Sequence, residues 1–213
     1  LFEISNKDFS EFMLRSFEGA KKNYPVVNIT WLDAIKFCNW LSLKENLNPV
    51  YNIKDNKNIS FNLNNDGYRL PTEAEWEWLA RKSNRKKQQK FVWGNQLKIP
   101  KSGGNLADES AIGIVDIYIP GYNDGYPSLA PVGSFKKEDS GLYDLSGNVS
   151  EWINDFYLLY PPNADILYYD PSGPKEGSSH VVKGSNFRSG SLTEIRASYR
   201  DSEVNTQDYI GFR

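Results

Sequence analysis

The chain has almost no sulfur and almost no imidazole: among 213 residues there is one cysteine (Cys38), one methionine and one histidine (His180). A single thiol excludes an internal disulfide and so the class of small stapled domains, while leaving the compartment open. A single histidine excludes a three-histidine iron site built from this chain alone. Long apolar runs are also missing, and none approaches the roughly 18 residues that a membrane-crossing helix needs. Neither sign of charge dominates: 25 Lys and Arg against 27 Asp and Glu leave a net charge of −2. With no long basic stripe, nucleic acid is not an expected partner. One local cluster, Arg81, Lys82, Arg85, Lys86, Lys87 and Lys90, reads as a solvated loop after a helix.

What the chain has in quantity is aromatic rings: 6 Trp, 13 Tyr and 11 Phe. Each buried ring removes roughly 150–250 Å² from water, so a large core can be built. Hydrophobic content of 39% and charged content of 24% are ordinary for a globular protein. No linker-like composition divides residues 1–213, which implies one domain. Opening on Leu1 and closing on Arg213 inside a motif, the chain reads as a piece of a longer protein.

Helices are signalled early. Thr30-Trp31-Leu32-Asp33 places a hydroxyl and an acid at a helix start. Trp31, Ile35, Cys38 and Leu41 then recur on one apolar face, so Cys38 is expected in the core and the helix to end near Glu45-Asn46. Pro71-Thr72-Glu73-Ala74-Glu75 opens another helix by a capping box, with Ala74, Trp78 and Leu79 as apolar positions. A shorter helix is expected over 6–14, where Phe9, Phe12 and Met13 share a face. From Phe91 onward the chain is rich in Gly, Pro, Asn, Asp and Ser, with short β-type runs at 112–119, 180–183 and 195–199. Loops in such number need buried aromatics, side-chain-to-backbone hydrogen bonds or bound metal to hold them. His180, ahead of Val181-Val182-Lys183, reads as a surface or turn residue.

Three stretches stand out: Tyr68-Arg69-Leu70-Pro71-Thr72-Glu73-Ala74-Glu75-Trp76-Glu77-Trp78; Gly141-Leu142-Tyr143-Asp144-Leu145-Ser146-Gly147-Asn148-Val149-Ser150-Glu151-Trp152; and Gly211-Phe212-Arg213. Colinear with Asn105-Leu106-Ala107-Asp108, Tyr122-Asn123-Asp124-Gly125-Tyr126, Ala130-Pro131-Val132-Gly133-Ser134-Phe135 and Lys183-Gly184-Ser185-Asn186-Phe187, they resemble the formylglycine-generating enzyme (sulfatase-modifying factor) family over nearly the whole chain. The resemblance implies an α+β domain of that family, related to C-type lectins, with low regular secondary structure. It also implies calcium. The side chains of Asn148 and Glu151 with the Val149 carbonyl would match one family site. The side chains of Asn105 and Asp124 with the carbonyls of Leu106 and Tyr126 would match a second. Such oxygen sets suit a hard cation; read from residues alone, Asn148 and Glu151 equally suit turn caps.

The family's oxidation chemistry uses two cysteines between the Gly-Gly-Ser-type strand and Gly-Phe-Arg, and these hold copper. Ser189 and Glu194 stand near those positions here, and neither is a ligand that Cu(I), which selects soft sulfur, prefers. Copper-dependent formylglycine formation is therefore not expected. A binding groove is expected instead from Trp152, Arg188, Ser189, Glu194, Arg196 and Arg200: three arginines near one glutamate could grip a carboxylate or phosphate, or could be internal salt bridges. The expected role is a calcium-stabilised, non-catalytic binding or scaffolding domain for a protein, a peptide or a small ligand. Two alternatives come with the resemblance: an oxidoreductase of the superfamily acting without the cysteine pair or with a partner domain, and a variable ligand-binding protein of lectin-like type. Similarity to envelope lipoproteins of the family points to an extracytoplasmic or envelope-associated bacterial setting.

Overall fold

A computed structural model describes residues 1–14, 22–56, 58–159 and 166–213. Three helices form where their caps dictate: α1 (Asn6–Met13), α2 (Trp31–Lys44) and α3 (Glu73–Arg81). Each begins with a capping box, Ser5 with Asp8, Thr30 with Asp33 and Thr72 with Glu75. In each, a hydroxyl accepts an orphan backbone N–H and the acid accepts one in return. The expected helix ends hold to within two residues.

Two sheets complete the fold. Strands β1 (Tyr51–Ile53) and β2 (Ile59–Phe61) pair antiparallel. Strands β3 (Ser150–Phe156), β4 (His180–Lys183), β5 (Arg200–Glu203) and β6 (Ile210–Gly211) make a second sheet in the order β5-β4-β3-β6, with β6 parallel to β3. Strand β3 is buried from Ser150 to Asp155, as befits a central strand covered on both faces. Helix α2 lays Trp31, Ala34, Ile35, Phe37 and Cys38 into the core, where Phe37 meets Phe9 at 5.6 Å and Phe212 at 5.4 Å between ring centres. The result is mixed helix and sheet with little regular structure, as the resemblance implied.

Five local expectations are corrected. Residues 112–119 form turns with isolated bridges, and Ile112, Ile114 and Ile117 are exposed; the run lacks polar alternation and has no sheet to join. Residues 195–199 are also turn, and the strand begins at Arg200. In α3 the buried positions are Trp76 and Ala80, whereas Trp78 is 55% exposed. His180 is not a surface residue: its ring stacks at 3.7 Å on Trp31 and at 4.3 Å on Phe156. Burial pushes its pKa down to about 4, so the imidazole is neutral at pH 7. The basic run is solvated only in part, because Arg85 has a side chain 7% exposed and pairs with Glu138 and Asp139.

Candidate functional site

The three motif stretches meet at one buried point. Trp76 Nε1 donates to Glu151 Oε2 at 2.9 Å, and Arg213 grips both oxygens of Glu151. Glu151 is 1% exposed. Two further buried carboxylates, Glu3 and Asp144, face the same guanidinium. Burial holds both above the usual carboxylate range, and Arg213 draws them back. Asn148 extends the network: its Nδ2 donates to Glu3 Oε2, while its Oδ1 accepts from Asn105 Nδ2 and Ala130 N.

That network decides which implied calcium position fits. At the Asn148–Glu151 position, both Glu151 oxygens serve Arg213 and Trp76, and Asn148 Oδ1 already accepts two hydrogen bonds. A cation there would meet the Arg213 guanidinium already seated on both Glu151 oxygens and an Asn148 Oδ1 already in use, so Asn148 and Glu151 fit the metal poorly. The Asn105–Asp124 position differs. Asn105 is fully buried and its Oδ1 has no hydrogen-bond partner among the described residues. Among the described residues the Asp124 carboxylate accepts backbone N–H groups from Leu106 at 2.9 Å and Tyr126 at 2.7 Å, and the Asp108 carboxylate lies beside it. Burial pushes Asp124 up to about 7. A free amide oxygen beside a partly desolvated carboxylate fits a hard cation.

The six residues expected in one groove lie in four places. Arg188, Ser189 and Glu194 line a 260 Å³ cavity with Ser150, Asn186 and Tyr209. Here Ser189 Oγ accepts from Asn186 N, Asn186 Nδ2 donates to Ser150 Oγ, and Glu194 Oε2 accepts from Ser191. Asp201 and Glu203 add carboxylates, while Arg188 is drawn to Asp208. Trp152 is elsewhere, 1% exposed with its Nε1 bonded to the Ile29 carbonyl. Arg196 is exposed, and Arg200 gives Nε and Nη2 to Glu73 at 2.8 Å each. The arginines therefore do not converge on an anion; Arg188 and Arg200 hold loops and strands together. Cys38 lies in the core with its thiol pushed up to about 12 by burial, inert and 5% exposed.

The sequence reading missed a second concavity of 1080 Å³, bounded by α3, the end of β3 and residues 168–174. At its edge Asp155, 5% exposed, accepts the first N–H of α3 from Glu73 at 3.1 Å. Its carboxyl is pushed up to about 7, chiefly by burial. An acid so raised keeps its proton in the folded state where the unfolded chain has lost it, so its stabilising contribution is complete below about pH 4 and lost as pH rises through 7. Asp155→Asn, neutral at every pH, should match the parent near pH 4 and exceed it by on the order of 2 kcal/mol at pH 8. Urea unfolding at the two pH values measures this; an equal difference at both would show that Asp155 is ionised throughout.

A family profile described as "Sulfatase-modifying factor enzyme 1-like domain" matches residues 2–213. The chain is 36% identical over 174 residues to a protein of Paenibacillus barcinonensis named "Chaperone protein LppX", covering 73% of this chain and 61% of that one. It is 32% identical over 206 residues to "Inactive C-alpha-formylglycine-generating enzyme 2" of Bos taurus, covering 91% of this chain and 50% of the relative. It thus spans half to three fifths of the length of these relatives. Among solved structures, "Treponema denticola variable protein 1" superposes with a TM-score of 0.80 at 27% identity, covering 99% of this chain and 80% of the other.

Proposed function

The chain belongs to the sulfatase-modifying factor (formylglycine-generating enzyme) family, and from that premise we propose that it is a non-catalytic binding domain, held by calcium at one position. The observation that carries the reading is the cavity beside β3, β4 and β5, where Ser189 and Glu194 stand near the places of the family's cysteines. Hydroxyls and carboxylates line it, and the chain's one thiol is buried on α2. These donors do not fit Cu(I), which requires soft ligands. A binding role agrees with the names of two relatives, a chaperone and an inactive enzyme. The partner in this reading is a polypeptide, engaged through the rim of the cavity. Anaerobic titration with Cu(I) should give no stoichiometric site, and cysteine-containing peptides should cause no oxygen uptake. A one-to-one copper complex or peptide-dependent oxygen consumption would overturn it.

A second reading, ligand display through the C-terminal loops, is favoured by likeness to the Treponema variable protein across 99% of the chain. Both readings use the same cavity. They part on whether the segment 188–209 tolerates wholesale change of exposed residues without loss of folding.

Calcium would be held by Asn105, Asp124 and the carbonyls of Leu106 and Tyr126, where it would neutralise a half-buried carboxylate and satisfy an orphaned amide oxygen. Because ligand binding to the folded state alone adds stability, melting temperature should rise with calcium and fall back with chelator. At a hundredfold excess over the dissociation constant the gain is about 2.7 kcal/mol. Asp124→Asn should abolish the response. A calcium-dependent rise that survives Asp124→Asn would rule this position out.

A further inference from the structure

The large concavity beside α3 shares no lining residue with the C-terminal cavity. Its charges are unevenly matched. Glu73 is taken by Arg200, and Glu77 by Arg81 and Lys183. Lys82, also on the lining, donates its ammonium to the carbonyls of Arg85 and Lys86. Asp155 and Asp170 line the same space and have no ion pair among the described residues. Asp155 is 5% exposed, and its Oδ1 has no hydrogen-bond donor among the described residues. Gly173, at φ +74°, lies against this oxygen: a Cβ there would sit 2.9 Å from Oδ1. Glycine thus lets the chain wrap close to the carboxylate without supplying a partner for it.

The walls are rings. Trp78 is 55% exposed on the outer face of α3, and Tyr168 and Tyr169 are exposed on the facing segment. Large aromatics exposed together around one space are unusual on a soluble surface without a ligand. Ring faces attract cations, and a buried carboxylate with no direct ion pair, feeling Arg200 only from beyond contact, adds to that attraction. An anion would meet Asp155 and Asp170 as like charges. A neutral ligand would leave Asp155 without a direct ion pair, with Arg200 alone acting on it from the same lining. The volume, 1080 Å³, is near the upper end for ligand clefts and exceeds what a bare ammonium fills.

We propose that this groove is a separate ligand site for an organic ammonium ion with an aromatic or alkyl body, in which Asp155 pairs with the cationic head and Trp78, Tyr168 and Tyr169 cover the body. The site is independent of copper, calcium and the C-terminal cavity.

Three probes of nearly equal shape test it: 2-phenylethylammonium, 2-phenylethanol and 3-phenylpropionate, titrated into the whole domain and followed by backbone amide NMR. The ammonium should saturate, with shifts at 73–78, 155–156 and 168–174. The alcohol and the carboxylate should bind roughly tenfold more weakly or not at all. Asp155→Asn, which retains an acceptor for the Glu73 N–H, should weaken the ammonium by about tenfold or more. Trp78→Ala, at an exposed position, should weaken it without changing the melting temperature. The proposal is overturned if the three probes bind alike, if Asp155→Asn leaves affinity unchanged, if no probe saturates, or if the shifts gather at 186–194 instead. The copper and oxygen measurements report on the other cavity and do not move with these outcomes.

Discussion

Glu151→Ala and Arg213→Ala are each expected to cost about 3–5 kcal/mol of folding free energy, a large share of the 5–15 kcal/mol that a domain usually has. The reason is burial. Arg213 has a side chain 8% exposed and Glu151 one 1% exposed, so removing either leaves the other as an uncompensated charge away from water. Arg213 also faces Glu3 and Asp144, and its loss leaves three buried carboxylates with no cation among them. Trp76 would lose the acceptor for its indole N–H in Glu151→Ala. Because the two residues form one unit, the double variant should lose clearly less than the sum of the singles. Urea denaturation in excess EDTA is the measurement. A loss that persists in chelator identifies the ion pair as the cause. Losses under about 1 kcal/mol, typical of exposed pairs, would refute the buried network. A loss that appears only with calcium present would return Glu151 to the metal-binding role the family resemblance implies.

This network explains what could be read from the sequence and what could not. The motifs around Trp76, Glu151 and Arg213 are recognisable as strings because each supplies one member of a single hydrogen-bonded cluster, across separations of 75 and 62 residues. The helix caps were legible because a capping box is local: Thr30 and Asp33, or Thr72 and Glu75, make both hydrogen bonds within four residues. Position in space was less legible. Helical period alone does not say which side of α3 meets the core, and Trp76 rather than Trp78 was chosen by Glu151, which the periodicity does not contain. His180 is half-buried because Trp31 and Phe156 come to it from α2 and β3. The arginines looked like an anion grip because they are close in sequence, but Arg200 reaches Glu73, 127 residues away. Asp155 and Gly173 carried no local signal: their juxtaposition depends on how residues 166–174 return over the end of β3.

The other large effect is expected where two loops cross. Gly104 and Gly147 lie on opposing segments that approach backbone to backbone. A Cβ on Gly104 would fall 1.4 Å from the Ser146 carbonyl oxygen, and one on Gly147 would fall 2.2 Å from the Asn105 carbonyl oxygen. Both residues sit at positive φ, +142° and +120°, which side-chain-bearing residues rarely adopt. Neither clash can be relieved by turning a side chain, since both partners are main chain. The crossing is tied by Asn148 N donating to Asn105 O at 2.8 Å and Asn105 Nδ2 donating to Asn148 Oδ1 at 3.1 Å. Gly104→Ala should therefore cost more than about 4 kcal/mol, among the largest effects a single substitution produces. Gly147→Ala should follow closely. Because each change forces the same two segments apart, the pair should cost less together than the singles sum to. Denaturant midpoints of the three variants test this. The crossing also positions Asn105, so any Gly104→Ala protein that folds should show a reduced calcium-dependent rise in melting temperature. A variant with parental stability and an intact calcium response would show that the loops do not cross this closely.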